Sequence, residues 1–395
     1  MKIFNQNLGI IRPSIFAKMS LMANEYQAIN LAQGFPDYSP PPLVLNAFSN
    51  IARNCDWSHH QYAPSMGRIT LREKICETYL KTQTCNLSAP QILITHGATE
   101  ALYLTARALL NPGDEVVVFT PCYDSYLANF NFCQANIREI PLLPPTFEFD
   151  RQLAKKTIST KTKMILINTP HNPTGKVFTK EEILFICSLI QNEETIIVSD
   201  EVYEYMTYNQ HEHFSLLSVE DIKKQLVVIS SLGKTFGMTG LKVGWCISTP
   251  EIIQALHQVH QYALFCVTHP FQKMLEEIVP LSSQFLIEFK KEYQSKMDFF
   301  VNAIQQLGII TSNVQGTYFV LAKIPQDSAL IAGKKLNGLQ LSEELCRKGI
   351  ATIPLDFFFP PNSLYSNQFN SWIRFCFAKK EETLKEAVKR LSQLL

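Results

Sequence analysis

Three charged side chains stand where an apolar sequence leaves little room for charge. Asp200 closes the run TIIVSDE (195–201), Lys234 closes LVVISSLGK (226–234), and Arg374 lies inside WIRFCF (372–377). An ionised group in such a setting is costly unless it is paired or put to use. The ends of neighbouring runs carry further polar groups. Gly97-Ala98-Thr99-Glu100 is a tight turn opening a helix, Tyr123 follows EVVVFTP (115–121), Asn172 follows MILINTP (164–170), and Tyr203 and Ser231 flank the two charged ends. Brought together, they supply an amine, a carboxylate, a carboxamide, a phenol, an aromatic face, hydroxyls and a helix N-terminus.

That set matches the needs of pyridoxal 5′-phosphate. Lys234 is the amine for a Schiff base with its aldehyde, and Asp200 is the carboxylate that keeps its ring nitrogen protonated as an electron sink. Asn172 and Tyr203 can bond the ring oxygen, and Tyr123 can stack on the ring. The backbone N–H groups of Ala98 and Thr99, with Ser231, can hold the phosphate. Each residue has a plainer reading by itself: Asp200 as a helix cap, Tyr123 and Tyr62 as packing aromatics, Arg374 as half of a structural ion pair. The segment GKT (233–235) resembles the end of a P-loop, but that motif needs glycine at position 228, which is Val.

The elements that must position these groups are legible as short runs of Val, Ile and Leu, with QILITHG (91–97) and GWCIST (244–249) completing a set of six. Their apolar residues are consecutive, as in strands buried on both faces. Helical periodicity separates them, in ATEALYLTARALL and KEEILFICSLI for example. This alternation predicts an α/β fold, a mostly parallel central sheet with helices on both faces, whose ligands sit beyond the carboxyl ends of the strands. Residues near 270–305 read as one long helix. A strand (TYFVLAKI), an amphipathic stretch (LSEELCRKG), a strand (SWIRFCFA) and a last helix with Leu384, Val388, Leu391 and Leu395 on one stripe follow. The expected division is a large α/β domain over 46–285, with 1–45 and 286–395 forming a smaller α+β domain.

Composition narrows the function classes. The 395 residues are 46% hydrophobic and 18% charged, with 36 basic against 35 acidic side chains. Such a chain folds, and its net charge of +1 gives no electrostatic footprint for nucleic acid or a membrane surface. Ten cysteines without a C-x-x-C pair, and nine histidines without ligand spacing, predict free thiols and no metal. No apolar run is long enough to span a bilayer, and MKIFNQNLGII is interrupted by Asn5, Gln6 and Asn7, so no signal-peptide core is expected. A cytoplasmic, soluble protein acting on small molecules is the expectation.

Over nearly its whole length the chain resembles the fold-type I, pyridoxal-phosphate-dependent aminotransferases of class I. The segments that carry the resemblance are NLAQGFPD (30–37), HQYAPSMGRITLRE (60–73), HNPTGKVF (171–178), SDEVYEYM (199–206), SSLGKTFGMTGLKVGW (230–245) and WIRFCF (372–377). The branch it is most similar to holds the methionine, glutamine (transaminase K) and kynurenine aminotransferases. The resemblance implies that Lys234 forms the Schiff base, that Asp200 faces the pyridine nitrogen, and that Tyr203 and Asn172 contact the ring hydroxyl. It implies that Arg374, with Asn172 and the backbone of Gly34, binds the substrate α-carboxylate. It also implies a homodimer with shared sites, in which Tyr62 reaches the neighbour's phosphate. Where many relatives carry an arginine for the phosphate, this chain has Lys242, which keeps the charge without the two-pronged geometry.

The activity expected is ping-pong transfer of an amino group from an L-amino acid to a 2-oxo acid. Only ten arginines exist, none between Arg151 and Arg347, where a dicarboxylate enzyme of this type would place its distal arginine. Phe16, Tyr38, Tyr103, Phe265 and Phe357 or Phe358 are the expected pocket residues. Methionine is favoured, ahead of glutamine or aromatic amino acids, because a flexible thioether suits an aromatic slot. The same site could instead run β-elimination on cysteine conjugates, act on aspartate, or serve an aminocyclopropane-type synthase. A pyridoxal-phosphate-binding sensor is the non-enzymatic alternative. It would carry a DNA-binding segment, and the few residues before the large domain show no helix-turn-helix pattern.

Overall fold

The computed structural model describes residues 13–54, 56–325, 328, 330–331 and 336–395. The central sheet has eight strands, β1 (Ile92–Thr95), β2 (Glu115–Thr120), β3 (Asn136–Leu143), β4 (Glu148–Phe149), β5 (Thr162–Asn168), β6 (Ile196–Asp200), β7 (Leu226–Ser231) and β8 (Gly244–Ile247). Their spatial order is β1-β8-β7-β6-β5-β2-β3-β4. Strands β3, β2, β5, β6 and β7 pair in parallel, β8 runs antiparallel to both neighbours, and β4 folds back on β3.

The consecutive apolar residues divide between two faces, as a strand's period of two requires. Ile92, Ile94, Val117, Phe119, Ile165, Ile167, Ile197 and Val228 pack into one layer, with helices Ile69–Gln83, Lys180–Ser188 and His269–Ile278. Leu93, Val116, Val118, Leu166, Val198, Val227 and Ile229 pack into the other, against Gly97–Leu109, Asp124–Phe132 and Pro250–Ala263. Both faces are thus covered by helices, and the polar chain ends are left at the sheet's carboxyl edge.

A second, antiparallel sheet comprises β9 (Ile310–Thr311), β10 (Phe319–Lys323), β11 (Ile353–Pro354) and β12 (Trp372–Cys376), in the order β9-β10-β12-β11. Helices Ser283–Gln306, Gly338–Arg347 and Glu381–Ser392 cover it through Phe300, Ile304, Leu341, Leu345, Leu384 and Leu391. Ile29–Asn30 pairs in parallel with Ile350–Ala351, tying an early segment of the chain to a late one.

Two expectations need correction. The long helix near 270–305 is two helices, His269–Ile278 and Ser283–Gln306, because Pro280 has no N–H for a helical bond. Strands β3 and β4 were not expected. The segment NIREIPLL carries Arg138, Glu139 and Pro141, and its first half is solvent-facing on alternate residues. Among the described residues no helix is long and apolar enough to cross a membrane, and no His/Cys/Asp/Glu cluster could hold a metal. Nine cysteines are free. Cys55 and the segment MKIFNQNLGII lie outside the described residues.

Candidate active site

The carboxyl ends of β5, β6 and β7 and the turn after β1 meet Arg374 of β12, Phe319 of β10 and the segments around Phe16 and Gly34 at a cavity of about 580 Å³. At the end of β7, Ser231 caps the one-turn helix Leu232–Thr235. Its hydroxyl accepts from the Gly233 N–H at 3.2 Å and donates to the Val243 carbonyl at 3.1 Å. Lys234 therefore projects from a fixed turn. Its Nζ donates to the Tyr318 hydroxyl at 3.0 Å, and that hydroxyl donates to the Gly34 carbonyl at 2.6 Å. Burial disfavours the ammonium and pulls Lys234 down to about 8.

Asp200 ends β6 and is 3% exposed. The Tyr126 hydroxyl donates to Oδ2 at 2.6 Å, and the Val202 N–H donates to Oδ1 at 3.3 Å. Burial outweighs both bonds and raises the carboxyl to about 6. Asn168, at the end of β5, pins the next loop to this strand. Its Nδ2 donates to the Asp200 carbonyl at 2.9 Å, and its Oδ1 accepts from the Asn172 N–H at 2.8 Å.

Asn172 in turn accepts, through Oδ1, a hydrogen bond of 2.7 Å from Arg374 Nη1. Arg374 Nη2 donates to the Ala32 carbonyl at 3.0 Å, and the guanidinium lies 3.8 Å from the Phe319 ring centre. The side chain is 1% exposed, forms no ion pair among the described residues, and leaves Nε without a hydrogen-bond partner. A buried cation with donor capacity unused is suited to an anionic ligand, and its planar fork to a carboxylate.

On the opposite wall, Gly97 opens the helix Gly97–Leu109 with φ +70°, a conformation that favours glycine. Ala98 and Thr99 follow in the first turn, and Lys242 Nζ donates to Thr99 Oγ1 at 3.3 Å. A Cβ on Gly97 would lie 3.6 Å from Lys242 Nζ, in the space between the helix start and the amine. A Cβ on Gly244 would come within 2.8 Å of the Ala98 nitrogen, so β8 approaches the turn as closely as it does only through glycine. Helix N–H groups beside a lysine are suited to a phosphate.

Lys234, Ala98, Thr99, Tyr123, Asn172, Asp200, Tyr203, Ser231, Lys242, Gly34, Arg374 and Phe16 all line this one cavity. Phe357 and Phe359 line it too, whereas Phe358 is fully buried behind it, 5.3 Å from the Arg374 guanidinium. Three residues expected in the pocket, Tyr38, Tyr103 and Phe265, are not in this protomer's lining, while Tyr62 is expected at the neighbouring subunit's site. The Tyr38 hydroxyl donates to that of Tyr293 at 2.9 Å, and its ring lies beneath Lys296. Tyr103 sits on the outer side of its helix, and Phe265 packs edge-on against Tyr62 at 5.1 Å, with Tyr62 itself 80% exposed. Sequence reasoning passed over Tyr126, Asn168 and Tyr318. Tyr126 lies one helical turn after Tyr123, and Asn168 ends a strand four residues before Asn172, so spacing offered a signal for both. Tyr318 offered none.

Residues 26–391 match the family model for aminotransferase class I and II. The chain belongs to this family. A methionine aminotransferase of Escherichia coli is 35% identical over 96% of both chains, and a kynurenine–oxoglutarate transaminase of Dictyostelium discoideum is 30% identical over 97% of this chain and 94% of its own. A crystal structure from E. coli, described as having a methionine aminotransferase function, superposes over 100% of both chains with a TM-score of 0.90 at 34% identity. Aminotransferases of this family depend on pyridoxal phosphate. The mostly parallel sheet with a separate small antiparallel sheet is their fold.

Proposed function

We propose that this aminotransferase carries pyridoxal 5′-phosphate and moves the amino group of L-methionine, and also of glutamine or aromatic amino acids, to a 2-oxo acid by a ping-pong mechanism. The observation that carries the reading is the convergence of half-buried Lys234 and buried Asp200 from adjacent strand ends on one cavity, with the partly unsatisfied Arg374 in the same lining. The residues fit the cofactor. Lys234 offers an amine already shifted toward its neutral form, Asp200 a carboxylate beside it, Tyr123 an aromatic wall, and Ala98, Thr99, Ser231 and Lys242 a phosphate cradle. When bound, the cofactor would supply an electron sink for the pair left behind when the substrate Cα–H bond breaks.

The chain's own groups do the rest. Arg374 binds the α-carboxylate through its unused donors, and its bond to Asn172 fixes the plane of the fork. With an amine near pKa 8, Lys234 would take the Cα proton as a general base and deliver it to the cofactor's carbonyl carbon, a contribution of roughly 10²–10⁴-fold. Asp200 holds positive charge opposite it, and Tyr126 holds Asp200. The apolar and aromatic lining by Phe16, Phe357 and Phe359, and the methionine aminotransferases among the similar proteins, support methionine as donor.

The proposed working unit is a homodimer in the cytoplasm, with 46–285 as the cofactor domain and 1–45 with 286–395 as the smaller one. The exposed aromatics Trp57, Tyr62, Tyr262 and Phe265 support a subunit interface that carries Tyr62 to the partner's site, and the free cysteines are consistent with a reducing compartment. Titrating the purified protein with L-methionine and with L-aspartate while recording its visible absorbance tests the proposal. Methionine should bleach the lysine-bound cofactor band at the lower concentration. Bleaching first by aspartate overturns the donor, and no band after adding pyridoxal phosphate overturns the roles of Lys234 and Asp200.

A further inference from the structure

Five charged side chains line the cavity among the described residues: Asp200, Lys234, Lys242, Arg374 and Asp124. The first four have work in the proposed chemistry. Asp124 has none. It opens the helix Asp124–Phe132, where a first-turn acid gains from the helix dipole. Its carboxylate meets only the N–H groups of its own helix start, and it has no ion pair among the described residues. Burial lifts its pKa, and Arg374, the largest opposing influence, pulls it back. A purely structural first-turn acid would sit at less cost facing water, as Glu181 does at the start of Lys180–Ser188.

The helix presents Asp124, Leu127, Ala128 and Asn131 to the cavity, the i, i+3, i+4, i+7 face. Ser125 and Tyr126 also reach the lining from this helix, and Asp124 is its charged residue, while Phe16, Phe357 and Phe359 supply apolar surface elsewhere in the lining. The three cations of the cavity are all committed, two to the cofactor and one to the α-carboxylate. A second carboxylate on a substrate would therefore meet no free cation in this protomer's lining, and would meet an acid.

We propose that Asp124 is a specificity-determining residue that excludes substrates with a second carboxylate and accepts side chains that are neutral or end in an N–H donor. The amino donors are then neutral amino acids, and the acceptors 2-oxo acids with a single carboxylate. This rests on the aminotransferase reading of the site and adds the charge rule for both half-reactions.

The test compares the parent holoenzyme with Asp124→Asn and Asp124→Glu. The readouts are kcat/KM for L-methionine and L-aspartate, and calorimetric binding of two unreactive acids, succinate and hydrocinnamate. Removing a like charge from a half-buried pocket changes the affinity of a charged ligand by about tenfold. Asp124→Asn is expected to raise the aspartate-to-methionine ratio by that factor, and succinate affinity by that factor over any gain for hydrocinnamate, whose single carboxylate is met by Arg374 in both proteins. Asp124→Glu keeps the charge and should retain the parent's selectivity. An unchanged ratio and unchanged succinate affinity in Asp124→Asn overturn the proposal. So does an equal loss for all four compounds with a lowered Tm, which assigns Asp124 to the helix alone. Succinate and hydrocinnamate binding does not require turnover, so failure of the aminotransferase reading shows separately, as absent transamination in the parent.

Discussion

Lys234 and Tyr318 are joined by a hydrogen bond of 3.0 Å in which the amine is the donor, because the phenol has committed its proton to the Gly34 carbonyl at 2.6 Å. Only lone pairs of the phenol face the lysine. The arrangement steadies the amine while leaving the nitrogen's own lone pair free when it is neutral. It also connects Lys234 to the segment around Gly34, on the side of the cavity where Arg374 reaches Ala32.

Tyr318→Phe should therefore lower kcat for L-methionine by about tenfold while KM moves less than threefold, since it removes positioning of the proposed base and leaves the proposed carboxylate clamp. An oxygen acceptor favours the protonated amine, so its loss takes Lys234 below its present value of about 8. The acid limb of the kcat profile should shift to lower pH. Steady-state kinetics across pH 6–9.5, on the order of seven points, check both effects.

Arg374→Lys keeps the charge and loses the fork, with its simultaneous bonds to Asn172 and Ala32. The expected cost is roughly 1.5–3 kcal/mol, or about 10–150-fold in kcat/KM for methionine. The visible band of the lysine-bound cofactor should survive, because Lys234 is untouched. Absorbance and kinetics on one preparation separate the two results.

Lys242 holds its amine at the start of the helix Gly97–Leu109, beside the proposed phosphate site, by donating to Thr99. Lys242→Ala should weaken pyridoxal phosphate binding by about tenfold at low ionic strength and flatten its dependence on salt. Fluorescence titration of the cofactor-free protein at two salt concentrations reads both the loss and the slope.

Behind β7 lies a carboxyl with a different pH behaviour. Glu204 is buried and raised to about 7, while Ser230 donates to it at 2.5 Å and Tyr79 at 3.3 Å. Gln83 donates to its other oxygen and leaves its own Oε1 buried without a partner. A neutral carboxyl can satisfy that Oε1 once the amide turns over, and so can the amide of Glu204→Gln. Because the folded-state pKa is the higher one, the native protein holds the proton between the ordinary glutamate value of 4.5 and about 7. This group's contribution to stability is full below 4.5 and is lost as pH rises through 7. Glu204→Gln should match the parent in Tm at the acid end and exceed it above pH 7. Thermal melts across that range decide the matter.

The sequence revealed strands wherever burial on both faces made every residue apolar. TIIVSDE became Ile196–Asp200 and GWCIST became Gly244–Ile247, but nothing in the latter run signals that β8 is antiparallel. Local composition carries no information about strand direction. The segment Asn136–Leu143 stayed hidden because only its second half is buried. At the site, residues placed by a strand end were readable, as with Asp200, Asn172 and Lys234. Tyr318 was not, because its role arises from its approach to Lys234, 84 positions away in the chain, and to Gly34, 284 away. Tyr38 shows the converse. An aromatic next to a recognisable motif was read as pocket, yet its hydroxyl had a partner in Tyr293 on a helix the motif does not reach.

The position of β8 has a consequence for how the molecule is made. In the finished sheet β1 has β8 as its neighbour, with Ile92 opposite Ile247 and Thr95 opposite Gly244. On a ribosome, β1 emerges about 150 residues before that partner, and it carries an apolar, hydrogen-bond-hungry edge throughout the interval. The helix bearing Ala98 and Thr99 hangs from β1, so one wall of the catalytic cavity waits for the late strand to be threaded between β1 and β7. Nascent chains stopped before Gly244 are expected to recruit chaperones and to aggregate, and those extended past Ile247 to become protease-resistant over 92–109.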